Sequence, residues 1–181
     1  MKYLKLFENF QIKKILFLVE DGFNYQEYLE TIRALSIMGH ECVISSPKEI
    51  YTQVKSSSNE IKILVEIPVK EVEVSNFDLL IIPGGSSPSR LKQNKEVLDL
   101  VREFNKQQKP IAAICHGPEV LAESGILKAT KVTGNPEIED LLNKSGGSFE
   151  NKKVVNDYGI ITSRNPEDLP YFIEEIQKTL S

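Results

Sequence analysis

The stretch that decides the fold is KPIAAICHGPEVLAESG, residues 109–125. Its apolar run, 110–115, stops at Cys115. His116, Gly117 and Pro118 follow at once, and a helical pattern begins. A short apolar run bounded by turn residues reads as a buried strand, here one that feeds a helix. Ala113 and Gly117 stand two positions either side of Cys115. Small flanks are what a nucleophile elbow needs, because the sharp turn throws its central side chain outward. The position also sets the thiol near a helix N-terminus, where the dipole and free backbone N–H groups favour a thiolate. The same donors could bind an oxyanion. The plain alternative is a buried strand-end cysteine beside a surface histidine, and a lone Cys-His pair does not separate the two.

The same strand-then-helix grammar extends outward. Residues 13–19, KKILFLV, read as a buried strand closed by the turn signal EDG. Tyr28, Leu29, Ile32, Leu35 and Ile37 trace a helical face over 26–38, with Gly39 as its C-terminal stop. ECVISS (41–46) is a second strand; 51–54 and 61–67 flank the polar loop 55–60 as a hairpin or a sheet-edge excursion. FDLLIIPGG (77–85) is another buried strand, and 94–108 an amphipathic helix. Further on, 128–133 reads as a strand, 136–147 as a helix with a glycine stop, and 153–157 and 159–163 as short strands. The final helix has Asn165 as N-cap, Pro166 at its first position and acids in its first turn, with an early interruption at Pro170.

Alternating strands and helices imply an α/β fold with a mostly parallel sheet covered on both faces. In such sheets functional groups gather at the carboxyl ends of the strands. Three segments fall there: the turn leading to Glu27, the Pro-Gly-Gly holding Gly84 and Gly85, and the Cys115-His116 elbow. The backbone N–H of Gly85 could join that of His116 as an oxyanion hole. Taken singly, Pro-Gly-Gly is an ordinary turn and a first-turn glutamate an ordinary helix-dipole partner.

Composition narrows the classes. The chain of 181 residues is long enough for a full core and reads as one domain, 1–181, with residues 1–12 as an N-terminal extension. A net charge of −4 with scattered lysines argues against nucleic acid as a partner. Two cysteines far apart in sequence make neither a disulfide framework nor a metal-ligand spacing. The charged N-terminal stretch lacks the apolar core of a secretory signal, and no run approaches the ~20 apolar residues of a membrane span. The expectation is a cytoplasmic protein without metal, membrane or nucleic-acid partner. Cys42 reads as a core strand residue, His40 as a solvated turn residue, and Arg164 as either a site contact or an ordinary salt bridge.

Taken together, DGFNYQE, IIPGG, KPIAAICHGPEVLAESGILK and TSRNPEDLP resemble the ThiJ/PfpI superfamily, in order and spacing, from Lys13 onward. That group includes intracellular proteases, type III glyoxalases and the parkinsonism-associated deglycase. The chain looks most like the PfpI branch, in which a histidine directly follows the cysteine. The resemblance implies a flavodoxin-like three-layer sandwich of the class I glutamine amidotransferase-like type. It implies Cys115 as nucleophile, Glu27 as the glutamate touching its sulfur, His116 as the adjacent histidine, and Gly85 and His116 as oxyanion donors beside Gly84. It also implies a homodimer or larger homo-oligomer and no cofactor.

Two positions depart from the pattern. Protease-like relatives carry an acid shortly after Pro-Gly-Gly that orients the histidine of a neighbouring subunit; here that position is Ser89. An acid is also common where Asn24 stands. Both departures weaken a peptidase reading. The expected activity is cofactor-independent chemistry on a small reactive carbonyl, of glyoxalase III or deglycase type, with methylglyoxal going to lactate. The alternatives are a PfpI-type cysteine peptidase and a non-enzymatic redox sensor or stress-response chaperone.

Overall fold

The computed structural model describes residues 11–58 and 60–181. Most of the N-terminal extension assigned to 1–12 therefore lies outside the described residues. The described strands are β1 (Lys14–Leu18), β2 (Glu41–Ser46), β3 (Gln53–Lys55), β4 (Lys62–Leu64), β5 (Ile67–Pro68), β6 (Leu79–Ile82), β7 (Ile111–Ile114), β8 (Lys131–Val132), β9 (Ser148–Phe149), β10 (Val154–Asp157) and β11 (Ile160–Ser163). The helices are α1 (Tyr25–Ile37), α2 (Ser87–Leu91), α3 (Lys95–Lys106), α4 (Pro118–Ser124), α5 (Glu139–Lys144) and α6 (Leu169–Leu180).

Seven strands form the main sheet in the order β10-β11-β7-β6-β1-β2-β5. All neighbours pair parallel except β10 with β11. That exception has a local cause. Only Tyr158 and Gly159 separate the two strands, both at positive φ (49° and 86°). Two such residues make the tight turn of a hairpin, whereas a parallel return needs a long crossover.

Alternation along the central strands splits the core in two. Leu16, Leu18, Leu80, Ile82 and Ala113 point to the face covered by α3, α4 and α5. Ile15, Phe17, Leu79, Ile81, Ala112 and Ile114 point to the face covered by α1 and α6. Strands buried on both sides have no polar face to show, which is why their sequences read as unbroken apolar runs. The result is the three-layer sandwich anticipated from the sequence. Among the described residues no helix is long and apolar enough to cross a membrane.

Several local expectations need correction. The buried face of α1 is Glu27, Tyr28, Thr31 and Leu35, while Leu29 and Ile37 are exposed. The helix is rotated so that Glu27, not Leu29, faces inward. The hairpin expected of 51–54 and 61–67 is present as β3 with β4, and Ile67–Pro68 also joins the sheet edge as β5. The 128–133 strand shrinks to β8, which pairs only with β9. The 136–147 helix begins as a 3-10 turn, Pro136–Ile138, before α5. Asn165 makes no side-chain cap bond; a 3-10 turn, Pro166–Asp168, precedes α6. Pro170 does not interrupt that helix but sits in its first turn, where a missing N–H costs nothing. His40 is buried, not solvated, and its Nδ1 accepts the backbone N–H of Lys13 at 3.2 Å.

Candidate functional site

Strands β7, β6 and β1 are adjacent, so the turns at their carboxyl ends meet. Cys115 follows β7 with φ +62°, a left-handed conformation that is uncommon for a side-chain-bearing residue. Its N–H donates to Ser163 O (3.0 Å), and the Gly117 N–H turns back to Ile114 O (2.8 Å). These bonds hold a sharp bend in which Cys115 is held at positive φ, the geometry of a nucleophile elbow. The spacing of small residues has a direct reason: a Cβ on Gly117 would lie 2.4 Å from Ile82 O.

Glu27 reaches the site from the first turn of α1. Asn24 caps that helix, its side chain accepting the Glu27 N–H at 3.2 Å. The Asn24 N–H in turn donates to Gly84 O at 3.0 Å, and the Gly84 N–H donates to Glu27 Oε2 at 2.6 Å. The reading of Glu27 as a mere dipole partner therefore fails; it is buried and tied to the Pro-Gly-Gly turn. Its Oε1 is buried without a hydrogen-bond partner among the described residues. Gly84 leaves the room for this carboxyl: a Cβ there would sit 2.7 Å from Cys115 Cβ and 2.9 Å from Glu27 Oε2.

Burial pushes the Glu27 carboxyl up to about 7, against the Gly84 hydrogen bond and the nearby Cys115 thiol, which favour its charge. The Cys115 thiol rises to about 11, first through burial and second through the neighbouring Glu27 charge. This corrects the expectation of a ready thiolate at a helix end. Helix α4 starts only at Pro118 and is short, so desolvation outweighs its dipole. Three groups pull the other way: the Asn135 side chain, and the backbone N–H groups of His116 and Gly85. Protonating Glu27 removes the repulsion as well.

The structure thus brings Cys115, Glu27, His116, Gly84 and Gly85 together. The imidazole Nδ1 of His116 lies 3.3 Å from Cys115 Sγ. Two site residues were not foreseen. Asn135 Nδ2 lies 3.8 Å from the sulfur, and Glu137 Oε2 lies 3.5 Å from His116 Nε2. The only sequence signal for them was the Asn-Pro turn before a helical run, which marks a helix start and not a site. Ser89 plays no part near the histidine; its hydroxyl donates to Ser86 O at 2.7 Å. Arg164 pairs with Asp168 at 2.8 Å and with Asn151, the ordinary ion-pair alternative.

A mostly parallel α/β sandwich with a cysteine on a sharp strand-to-helix turn, a buried glutamate beside it and a histidine 3.3 Å from its sulfur defines a class of cysteine-centred α/β proteins. The comparisons narrow the class. Residues 13–179 match the model of the DJ-1/PfpI family. "Putative cysteine protease YraA" of Bacillus subtilis is 35% identical, over 90% of this chain and 95% of that protein. "Deglycase PfpI" of Pyrococcus furiosus is 33% identical, over 92% of this chain and 99% of that protein. A two-domain protein of Anabaena variabilis with DJ-1/ThiJ/PfpI-like and ferritin-like domains superposes with a TM-score of 0.90 at 30% identity, over 93% of this chain and 48% of that one. The chain belongs to the DJ-1/PfpI family.

Proposed function

We propose that the protein is a cysteine-dependent, cofactor-independent enzyme that converts small reactive carbonyls, of glyoxalase III or deglycase type. The observation that carries this reading is the gathering of buried Glu27, His116 and the Pro-Gly-Gly turn around Cys115 on its elbow. Names of relatives, deglycase and cysteine protease, support enzymatic activity of this general kind.

The Cys115 sulfur attacks the aldehyde carbon of methylglyoxal and forms a hemithioacetal. The thiol proton passes to a neighbouring base, for which His116 Nδ1 is within reach. The N–H groups of Gly85 and His116 hold the oxygen as charge builds on it. Glu27 at about 7 is near balance between its two forms, as a group that must both take and return a proton requires. It removes the proton from the former aldehyde carbon and, with His116 as partner, returns one to the adjacent carbon through an enediol. The product is a thioester; one water cleaves it, restoring the thiol and releasing lactate. The same adduct chemistry would reverse early glycation of amines and thiols. In keeping with the family resemblance, we place this activity in a cytoplasmic homodimer or larger homo-oligomer.

The test is lactate formation by purified protein supplied with methylglyoxal. Turnover lost in Cys115→Ala supports the reading, and lactate no higher than in that variant overturns it. The contact of His116 with both sulfur and carboxylate favours peptide hydrolysis as the second reading. Cleavage of a fluorogenic peptide, abolished by Cys115→Ser, would establish it instead.

A further inference from the structure

His116 is held from two sides. Its Nδ1 lies 3.3 Å from Cys115 Sγ, and its Nε2 lies 3.5 Å from Glu137 Oε2. We propose that Glu137, supplied by the same chain, is the positioning residue for His116: it selects the tautomer with hydrogen on Nε2 and turns the Nδ1 lone pair toward the Cys115 thiol.

A neutral imidazole carries one N–H and one lone pair, and the partner of one nitrogen determines the state of the other. An ionised carboxylate only accepts. A carboxylate 3.5 Å from Nε2 favours hydrogen on that nitrogen, which leaves Nδ1 as acceptor. An acceptor 3.3 Å from a thiol can take its proton as sulfur bonds to carbon. The imidazolium so formed faces a negative charge.

The backbone places Glu137 there. The Asn135 N–H donates to Cys115 O at 2.9 Å, which ties the loop to the elbow itself. The Asn135 side-chain oxygen accepts the Glu137 N–H at 3.0 Å, and the 3-10 turn Pro136–Ile138 follows. One short loop thus presents an amide to the sulfur and a carboxylate to the imidazole. The position after Pro-Gly-Gly, where the resemblance leads one to expect an acid from a neighbouring subunit, holds Ser89, which is turned to its own backbone. Glu137 makes the cysteine–histidine–acid arrangement complete within one chain. Its side chain is 80% exposed, so solvent screens the pair and the effect is modest.

The tautomer claim stands on its own, and its kinetic consequence rests on the proposed carbonyl chemistry. Imidazole 15N shifts report the tautomer directly, and the chain has two histidines, so His116→Gln assigns both signals. At a pH of about 9, where imidazoles are neutral, the wild type shows His116 with hydrogen on Nε2. Glu137→Ala mixes the tautomers, and Glu137→Gln, which keeps an acceptor oxygen, retains the wild-type form. With methylglyoxal, Glu137→Ala lowers kcat about 5- to 10-fold with KM within about 2-fold, and Glu137→Gln recovers part of it. An Nδ1–H tautomer in the wild type, or one indifferent to Glu137→Ala, overturns the proposal. Absence of turnover in a wild type that shows the Nε2–H form overturns the carbonyl reading and leaves the assignment of Glu137 standing.

Discussion

The chain has two cysteines and two histidines, and they fall in two pairs: His40 with Cys42, and Cys115 with His116. The first pair lies at the amino end of β2, the second at the carboxyl end of β7. At the amino end both groups serve structure. His40 receives the Lys13 N–H, and Cys42 sits half-buried against the α1 layer with Ser36 as its partner. At the carboxyl end Cys115 is held at φ +62° among Glu27, His116 and the backbone N–H groups of His116 and Gly85. Burial raises both thiols, so desolvation does not tell them apart. What differs is the supply of donors and titrating partners. In a parallel sheet the turns into helices cluster their free N–H groups at the carboxyl ends of the strands. The same residue types therefore stand in different chemical surroundings at opposite ends of the sheet.

Substituting each cysteine in turn gives the largest contrast. Cys115→Ala should lower turnover of methylglyoxal by about 10^4-fold or more, as loss of a covalent nucleophile does. Cys42→Ser should leave kcat/KM within about 2-fold, measured by lactate release. Equal losses would dissolve the distinction.

Glu27→Gln comes next, with a fall in kcat of about 10^2- to 10^3-fold. It also has a stability signature. The folded carboxyl titrates near 7 against an ordinary 4.5, so the folded state binds the proton more tightly. That stability is complete below 4.5 and is lost as pH rises through 7, a swing of roughly 3 kcal/mol. Melting temperature followed from pH 4 to 8 should fall less steeply in Glu27→Gln than in the wild type.

Gly84→Ala tests the crowding that the site depends on. The added methyl would press on Cys115 Cβ and Glu27 Oε2, costing about 1–3 kcal/mol in denaturant unfolding. The smallest effect belongs to the structural pair. His40→Ala removes the acceptor for Lys13 N–H and should cost about 1 kcal/mol with turnover unchanged. Burial holds the His40 imidazole below its ordinary 6.5, so its stability is present above 6.5 and lost as pH falls through the folded value. The pH slopes of the two regions are thus opposite in sign, and each variant should remove only its own.

Much of the site was legible because three of its parts leave short local signatures. The small flanks of Cys115, the double glycine after β6 and the glutamate one turn into α1 each stand at a strand end, and alternation of strand and helix is enough to bring strand ends together. Glu137 was not legible. It follows an Asn-Pro turn like many others, and its link to His116 runs through a backbone bond from Asn135 to Cys115 that no spacing reveals. His40 was misread for a similar reason: a histidine after a glycine stop resembles a surface turn until the neighbouring strand covers it.

By itself the sequence determined the layered α/β architecture, since doubly buried strands must be apolar throughout and their helices must be amphipathic on one side. It also determined which cysteine stands on an elbow. The protonation chemistry follows instead from the folded surroundings. Whether Cys115 is thiol or thiolate, whether Glu27 is charged, and which nitrogen of His116 faces the sulfur all depend on desolvation and on partners 20 to 90 residues away in the chain, as with Asn135 and Glu27. Local pattern records where a side chain starts. Its charge is set by what folds against it.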